Sequence, residues 1–318
     1  MWIRGSNRSI QEEGGKRVKT DSLNSSNTPE AKKRRKRRSQ AMDVWRRFRK
    51  NKGAVIGMVV VAFVIFMALF ADVIFDFDTQ IAAIHPAERL QWPSWKHPFG
   101  TDQMGRDIFA RVLYGTKFSF SIGIASVLFS ALIGIPIGAA AGYFGGAFDD
   151  IVMRFMDIFT AIPQILMGIM IVSVLGANTL NLIIAISITS IPAIARITRA
   201  SVMTVKNQEY IEAARSIGLR ESSIIFGHVL PNCLSPIIVR LTLQVASAVV
   251  SASSLSFLGL GIAPPSPEWG ALLSAGRKFV REQSYMTLFP GLAIMITVLA
   301  FNMLGDGLRD SLDPKLRK

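Results

Sequence analysis

Residues 100–107, GTDQMGRD, carry the glycine spacing that opens a phosphate-binding loop, but the match stops there. Such a loop needs a lysine and then a hydroxyl residue to meet phosphates and magnesium; Arg106 and Asp107 stand instead, and Asp107 would repel a nucleotide. His85, His97 and His228 are spread too widely to suggest a metal cluster, and Cys233, the single cysteine, excludes an internal disulfide and any Cys-rich metal site. Neither a Ser, His and Asp arrangement nor a His-Glu-x-x-His helix is present. No catalytic residue, metal ligand or resident cofactor is therefore expected in this chain.

The strongest constellation is EYIEAARSIGLRESSIIFGHVLP at 209–231. Tyr210, Ile211, Ala214, Ile217 and Gly218 follow the i, i+3, i+4, i+7 spacing of one helix face, with Glu209, Glu212 and Arg215 on the other side. Gly218 can end that helix in the left-handed conformation that costs other residues energy. A second short helix is expected through SSIIFGHV, and Pro231 starts the return. The pattern predicts a helix-turn-helix elbow, with small Ala213 and Ala214 permitting close approach of a partner.

The elements around this elbow are built for lipid. Half of the 318 residues are hydrophobic and the mean hydropathy is +0.36. A bilayer core of about 30 Å needs roughly 20 helical residues. Runs at 53–75, 118–142, 151–175, 180–198, 236–258 and 285–304 meet that need, so the predicted fold is an all-α polytopic membrane protein with six transmembrane helices. The run 53–75 is too long for a cleaved signal peptide and is expected to stay as an anchor. The organisation read from the chain is a basic tail (1–52), the first helix (53–75), an external segment (76–117), a five-helix core (118–304) holding the elbow loop (205–233), and a C-terminal tail (305–318).

Charge sets the expected orientation. The formal net charge is +14, with 17 Lys and Arg before the first helix and five more between the fourth and fifth. Positive loops stay inside, so both termini and the elbow are expected in the cytoplasm, although 76–117 also carries five basic residues, partly offset by acids. The run KKRRKRR at 32–38 reads as a topology signal or lipid-headgroup contact ahead of a nucleic-acid patch, and residues 1–40 hold too little apolar surface to fold alone.

Gly134, Gly138 and Gly142 recur every four residues, clearing one stripe of the second helix for a close neighbour. Pro136, Pro163, Pro192 and Pro290 are expected to kink helices, a feature compatible with a moving, water-lined bundle. Ionisable residues in the spans are few, as their cost demands: Arg154 and Asp157 are spaced to pair, and Arg240 lies near one end of the fifth helix. Gln164 and Gln244 are candidates for a polar pathway lining, with helix-helix hydrogen bonding the alternative. In the external segment Asp102 and Arg106 suggest a turn held by charge pairs, leading into IFARVLYG at the outer interface; Pro264, Pro265 and Pro267 suggest a stiff loop with Trp269 at headgroup level. Asp102, Arg106 and Trp269 could contact a delivering protein.

Glu212-Ala213-Ala214, Gly218 and Leu230-Pro231 resemble the EAA loop of bacterial ABC importer permeases, a cytoplasmic coupling element that docks on an ATPase subunit. HPFGTDQMGRDIFARVLYG (97–115), SFLGLGIAPPSPEWG (256–270) and LGDGLRDSLDPKL (304–316) are similar to signatures of the dipeptide, oligopeptide and nickel branch, so the resemblance spans nearly the whole chain from residue 45. His228 departs from the pattern, which has isoleucine there. The resemblance implies a subunit of the second, C-type kind in an importer of dipeptides or oligopeptides in the bacterial cytoplasmic membrane. It implies a heterodimer with a second permease, two ATPase subunits that bind ATP and magnesium and carry out all the hydrolysis, and an extracytoplasmic substrate-binding protein. The coupling residues it implies are Glu212, Ala213, Ala214, Gly218, Leu230 and Pro231.

Three other readings stand beside it. A nickel permease of the same family would pass a chelate without ligating the metal. An ion-coupled secondary carrier would need acids or histidines across the spans, which are scarce. A membrane-anchored nucleic-acid protein would depend on residues 1–40.

Overall fold

The computed structural model describes Met42 and residues 44–312; the basic run at 32–38 and residues 313–318 lie outside the described residues. Residues from Arg46 onward form one compact unit. Its helices are α1 (Lys52–Ile74), α2 (Ile108–Phe144), α3 (Gly146–Ala161), α4 (Gln164–Leu175), α5 (Thr179–Val205), α6 (Glu209–Ser216), α7 (Glu221–Ile224), α8 (Leu230–Phe257), α9 (Trp269–Gly276) and α10 (Tyr285–Leu312). Among the described residues five helices are long and apolar enough to span a membrane, and α3 with α4, a pair bent by 85°, is long and apolar enough for a sixth only when taken together.

Side chains set where several of these helices begin. Asn51, Asp107, Asn178 and Glu268 each accept a hydrogen bond from the backbone N–H three residues on, filling one of the donors a helix start leaves open. For α2 the cap at Asp107 has a consequence: the helix starts at Ile108, ten residues before the expected 118. IFARVLYG is thus the first turns of a 37-residue helix rather than a separate interfacial segment. Arg111 and Tyr114 within it are buried, with Arg111 Nη1 donating to the Ile81 carbonyl at 2.8 Å and Tyr114 Oη donating to Asp72 at 2.6 Å.

The glycine stripe packs α2 along α5. An added Cβ would lie 2.2 Å from the Ala195 carbonyl oxygen at Gly138, 2.7 Å from that of Arg199 at Gly142 and 3.1 Å from that of Ile191 at Gly134. The residue numbers climb together on the two helices, so α2 and α5 run parallel. Pro136, Pro192 and Pro290 lie inside continuous helices, whereas the chain breaks at Ile162 and Pro163. Proline removes a backbone donor and restricts the residue before it, and the third expected helix accordingly becomes two.

Asn51 meets Asp310 at 3.4 Å, and Lys206 donates to the Gly142 carbonyl at 2.7 Å. These contacts gather the start of α1, the ends of α2, α5 and α10, and the elbow at one end of the bundle. At the opposite end Lys117 reaches Asp72 at 2.5 Å, tying α2 to α1. The main core, around Ile122, Leu182, Val249 and Trp269, joins α2, α5, α8 and α9.

Candidate functional site

The elbow forms as the spacing predicts, with two differences. Ile211 and Ala214 are buried against Ala139, Tyr143, Val202 and Cys233, so one side of α6 is closed by the ends of α2, α5 and α8. Tyr210 and Ile217, which share the apolar side, are 44% and 77% exposed. The chain covers only part of the apolar face. Phe226, 67% exposed, adds a third large side chain at the elbow.

Gly218 turns the chain at φ +78°, with its N–H donating to the Arg215 carbonyl at 3.0 Å. Nothing lies within 4 Å of the place where its Cβ would be, so the backbone conformation, not space, calls for glycine there. The expected second helix divides into α7 and a π-helical turn at Ile225–Val229, which leads directly into α8 at Leu230. Glu212, Ala213 and Pro231 are exposed, Leu230 is partly covered and Ala214 is buried. His228 is also partly covered and its carbonyl accepts from Asn232 Nδ2 at 2.6 Å.

A residue outside the expected site closes the elbow. Tyr143, at the last turn of α2, accepts a hydrogen bond from Arg215 Nη2 at 3.0 Å and donates to the Glu221 carboxylate. Arg215 Nε lies 3.4 Å from Glu221 and its guanidinium stands 5.7 Å from the centre of the Tyr143 ring. One hydroxyl thus joins α6, α7 and α2. The Arg215 guanidinium is held charged beyond its ordinary range, first by the Tyr143 hydroxyl. Sequence spacing carries no sign of this, because Tyr143 lies 72 residues from Arg215 and 78 from Glu221.

Neighbouring charges brace the same end. Arg199 clasps Asp149 through two contacts of 2.5 Å, fixing the start of α3 to α5. Asp157 pairs with Arg196 at 2.8 Å rather than with Arg154, and Arg196 also reaches the Thr160 hydroxyl at 2.8 Å. The expected intrahelical pair gives way because α5 brings a fork-shaped guanidinium that meets both groups of α3.

The remaining candidates fall in different surroundings. Gln244 is 4% exposed and donates to Ser190 at 3.0 Å between α8 and α5, so it packs helices instead of facing an open passage. Gln164 is exposed at the head of α4 and reaches Ser251 of α8 at 3.4 Å. Asp102 and Arg106 do make the expected charge pair, at 2.7 Å, and both are buried. Trp269 is only 2% exposed and donates from Nε1 to the Val112 carbonyl at 2.9 Å; it is a core residue, not a headgroup anchor. Glu268 beside it is buried and accepts from Ala271 N–H at 2.9 Å and from Ser119 at 3.1 Å. Burial pushes its carboxyl above the usual range, against those hydrogen bonds. Among the described residues no group of three or more His, Cys, Asp or Glu side chains is placed to hold a metal ion.

Residues 134–318 match the family described as binding-protein-dependent transport system inner membrane component, and residues 39–93 match the N-terminal TM domain of oligopeptide transport permease C. The chain is 42% identical over 275 residues to the dipeptide transport system permease protein DppC of Alkalihalophilus pseudofirmus, covering 86% of this chain and 90% of that one. It is 41% identical to the di/tripeptide transport system permease protein DppC of Pseudomonas aeruginosa, over 88% and 93% of the two chains. The glutathione transport system permease protein GsiD of Escherichia coli is 45% identical, over 86% and 90%. The fold is similar to that of a chain of the MetNI methionine ABC transporter in an inward-facing conformation, with a TM-score of 0.54 at 18% identity, covering 64% of this chain and 97% of that chain.

Proposed function

The chain belongs to the binding-protein-dependent transport system inner membrane components, and from that premise we propose that it is the permease subunit through which an ATP-driven importer moves dipeptides or oligopeptides. The observation that carries the coupling role is the elbow, whose apolar face is half closed by its own bundle and half left open at Tyr210, Ile217 and Phe226. Such an incomplete face needs a protein partner, since it projects from the end of the bundle beside exposed Glu212 and Arg215. The partner on this reading is an ATPase subunit in the cytoplasm. ATP and magnesium bind there, and closure of an ATPase pair moves the docked elbow together with α2 and α8, to which it is tied.

The cargo follows from the relatives, whose names specify dipeptide, di/tripeptide and glutathione transport. A second, homologous permease completes the passage as a heterodimer, supported by the bent α3 and α4 pair, whose large apolar side chains Phe155, Ile158, Leu166 and Met170 stay exposed in the single chain. Lipid covers the outer face of α1, and on this reading the elbow and both termini face the cytoplasm, in line with the basic residues on that side. A substrate-binding protein delivers cargo from outside.

Reconstitution with the second permease, two ATPases and the binding protein tests the reading. Labelled dipeptide should enter proteoliposomes only with ATP. Uptake of a nickel chelate instead, or peptide uptake by the isolated chain driven by an ion gradient, would overturn it.

A further inference from the structure

One cation inside the bundle is unmatched. Arg240 lies ten residues into α8, about 15 Å along the helix from its elbow end at a rise of roughly 1.5 Å per residue. Its Nε is buried without a hydrogen-bond partner, and it makes no ion pair among the described residues. A guanidinium in a membrane span is costly unless it meets an anion or water. Arg196, Arg199 and Arg215, nearer the elbow, each have an acidic partner, whereas Arg154 and Arg220, which have none among the described residues, are exposed to solvent or lipid headgroups.

The helix face that carries Arg240 is unlike a lipid-facing one. Arg240, Ser247, Ser251 and Ser254 recur at helical spacing along α8, with Leu258 just past its end, and all five are partly or fully exposed. On α1, by contrast, Ile56, Val59, Phe63, Phe66 and Leu69 make an exposed stripe that is large and apolar throughout. Gln164 leans on the serine face at Ser251, 3.4 Å away, from the first residue of α4. It follows directly on the break at Ile162 and Pro163, both of them exposed. Broken backbone at membrane depth persists only where protein covers it or where it lines a watery cavity. Beyond Ser254 the same face opens into a cavity of about 440 Å³, bordered by Ile165, Val250, Leu273 and Gly291.

We propose that the α8 face from Arg240 to Leu258, with Gln164, lines the passage of the transported peptide, and that Arg240 receives the peptide's C-terminal carboxylate. The inference rests on the permease reading above. Serines and glutamine give a peptide backbone exchangeable hydrogen bonds without holding it, the apolar cavity accepts side chains, and a guanidinium fork matches a carboxylate in shape and charge. The polar groups form a ladder with the single cation toward the elbow end.

The test uses the assembled importer with Ser247→Cys, two helical turns from Arg240, and water-soluble anionic and cationic methanethiosulfonates. Cys233, the sole cysteine of this chain, is buried, and labelling is read on this subunit alone. Ser247→Cys should react well above a Phe66→Cys control on α1. Adding Arg240→Gln should lower the anionic-to-cationic rate ratio by about fivefold or more, given a separation of about 10 Å and salt screening over a similar length. A dipeptide with a free carboxylate should slow the labelling more than its C-terminal amide. Reactivity no greater than that of Phe66→Cys would overturn the lining, placing lipid or the second permease on this face. An unchanged ratio, or loss of the second permease on purification of Arg240→Gln, would overturn the carboxylate role by giving Arg240 a standing partner. Both of these failures leave ATP-driven peptide uptake by the parent complex intact, whereas absence of that uptake is failure of the permease reading itself.

Discussion

Replacing Tyr143 with phenylalanine removes one oxygen and leaves the ring where it packs, which isolates the hydroxyl that joins α2 to both halves of the elbow. That hydroxyl accepts from Arg215 at 3.0 Å and donates to Glu221. With it gone, Arg215 and Glu221 still face each other at 3.4 Å, but their side chains are 54% and 48% exposed, so water competes for both and their pairing holds the elbow weakly. The same exposure lets the two charged groups rehydrate after the substitution, so the loss belongs at the lower end for a hydrogen-bonded hydroxyl, about 1 kcal/mol. If α6 and α7 open as one unit, that corresponds to roughly a fivefold rise in their opening constant. Hydrogen exchange on the purified chain in detergent, followed on peptides covering 209–226, should show this rise while α2 and α5 exchange as before. Tyr143→Ala, which also removes a ring from the buried cluster with Ile211 and Val229, should open the elbow much further. Unchanged exchange across 209–226 in Tyr143→Phe would refute the reasoning, because the contacts in the ring's neighbourhood would then suffice without the hydroxyl.

Three further outcomes follow from the geometry. Gly218→Val forces a β-branched residue to φ +78°, a strain of about 1–2 kcal/mol with no steric clash, so membrane insertion should survive while ATPase stimulation by loaded binding protein falls; full stimulation would count against the elbow. Gly138→Leu drives a side chain into the Ala195 carbonyl, 2.2 Å from the nearest Cβ position, and should lower the thermal midpoint markedly, whereas Gly146→Ala, with nothing within 4 Å, should be limited to backbone strain. Glu268 has its folded carboxyl raised by burial, so the native state binds more protons than the unfolded one between the ordinary carboxyl value and the raised one. Its contribution should be fullest at acid pH and should be lost as pH rises through that window; Glu268→Gln should flatten the pH dependence of thermal stability, and an identical profile would argue against a titrating Glu268.

The long apolar runs, the glycine stripe and the turn at Gly218 were legible because each rests on a local rule. Span length follows from bilayer thickness, a four-residue small-residue period from helix geometry, and a left-handed turn from the lack of a Cβ. Even so, the same local rules misplaced boundaries. The start of α2 was set by the Asp107 cap together with contacts to Ile81 and Asp72 from other parts of the chain, which no hydropathy window contains.

The polar residues show the division most clearly. Composition indicated that charges in the spans must be few and compensated, but the partner of each was a tertiary matter: Asp157 took Arg196 across helices instead of Arg154 on its own, and Gln244 turned to Ser190. Trp269, with nearby prolines, had the local character of an interfacial residue and became core because Gly115 and Gly270 let its loop press between α2 and α8. Tyr143 gave no signal at all until the fold brought the end of α2 to the elbow. Sequence alone determined that the chain spans a membrane in helices and carries a glycine-hinged elbow, since bilayer thickness and backbone sterics act on short stretches. Only the tertiary structure decided which charges are neutralised, which aromatic closes the elbow and that Arg240 stands inside the bundle without an acid, since those outcomes depend on distances between residues far apart in the chain.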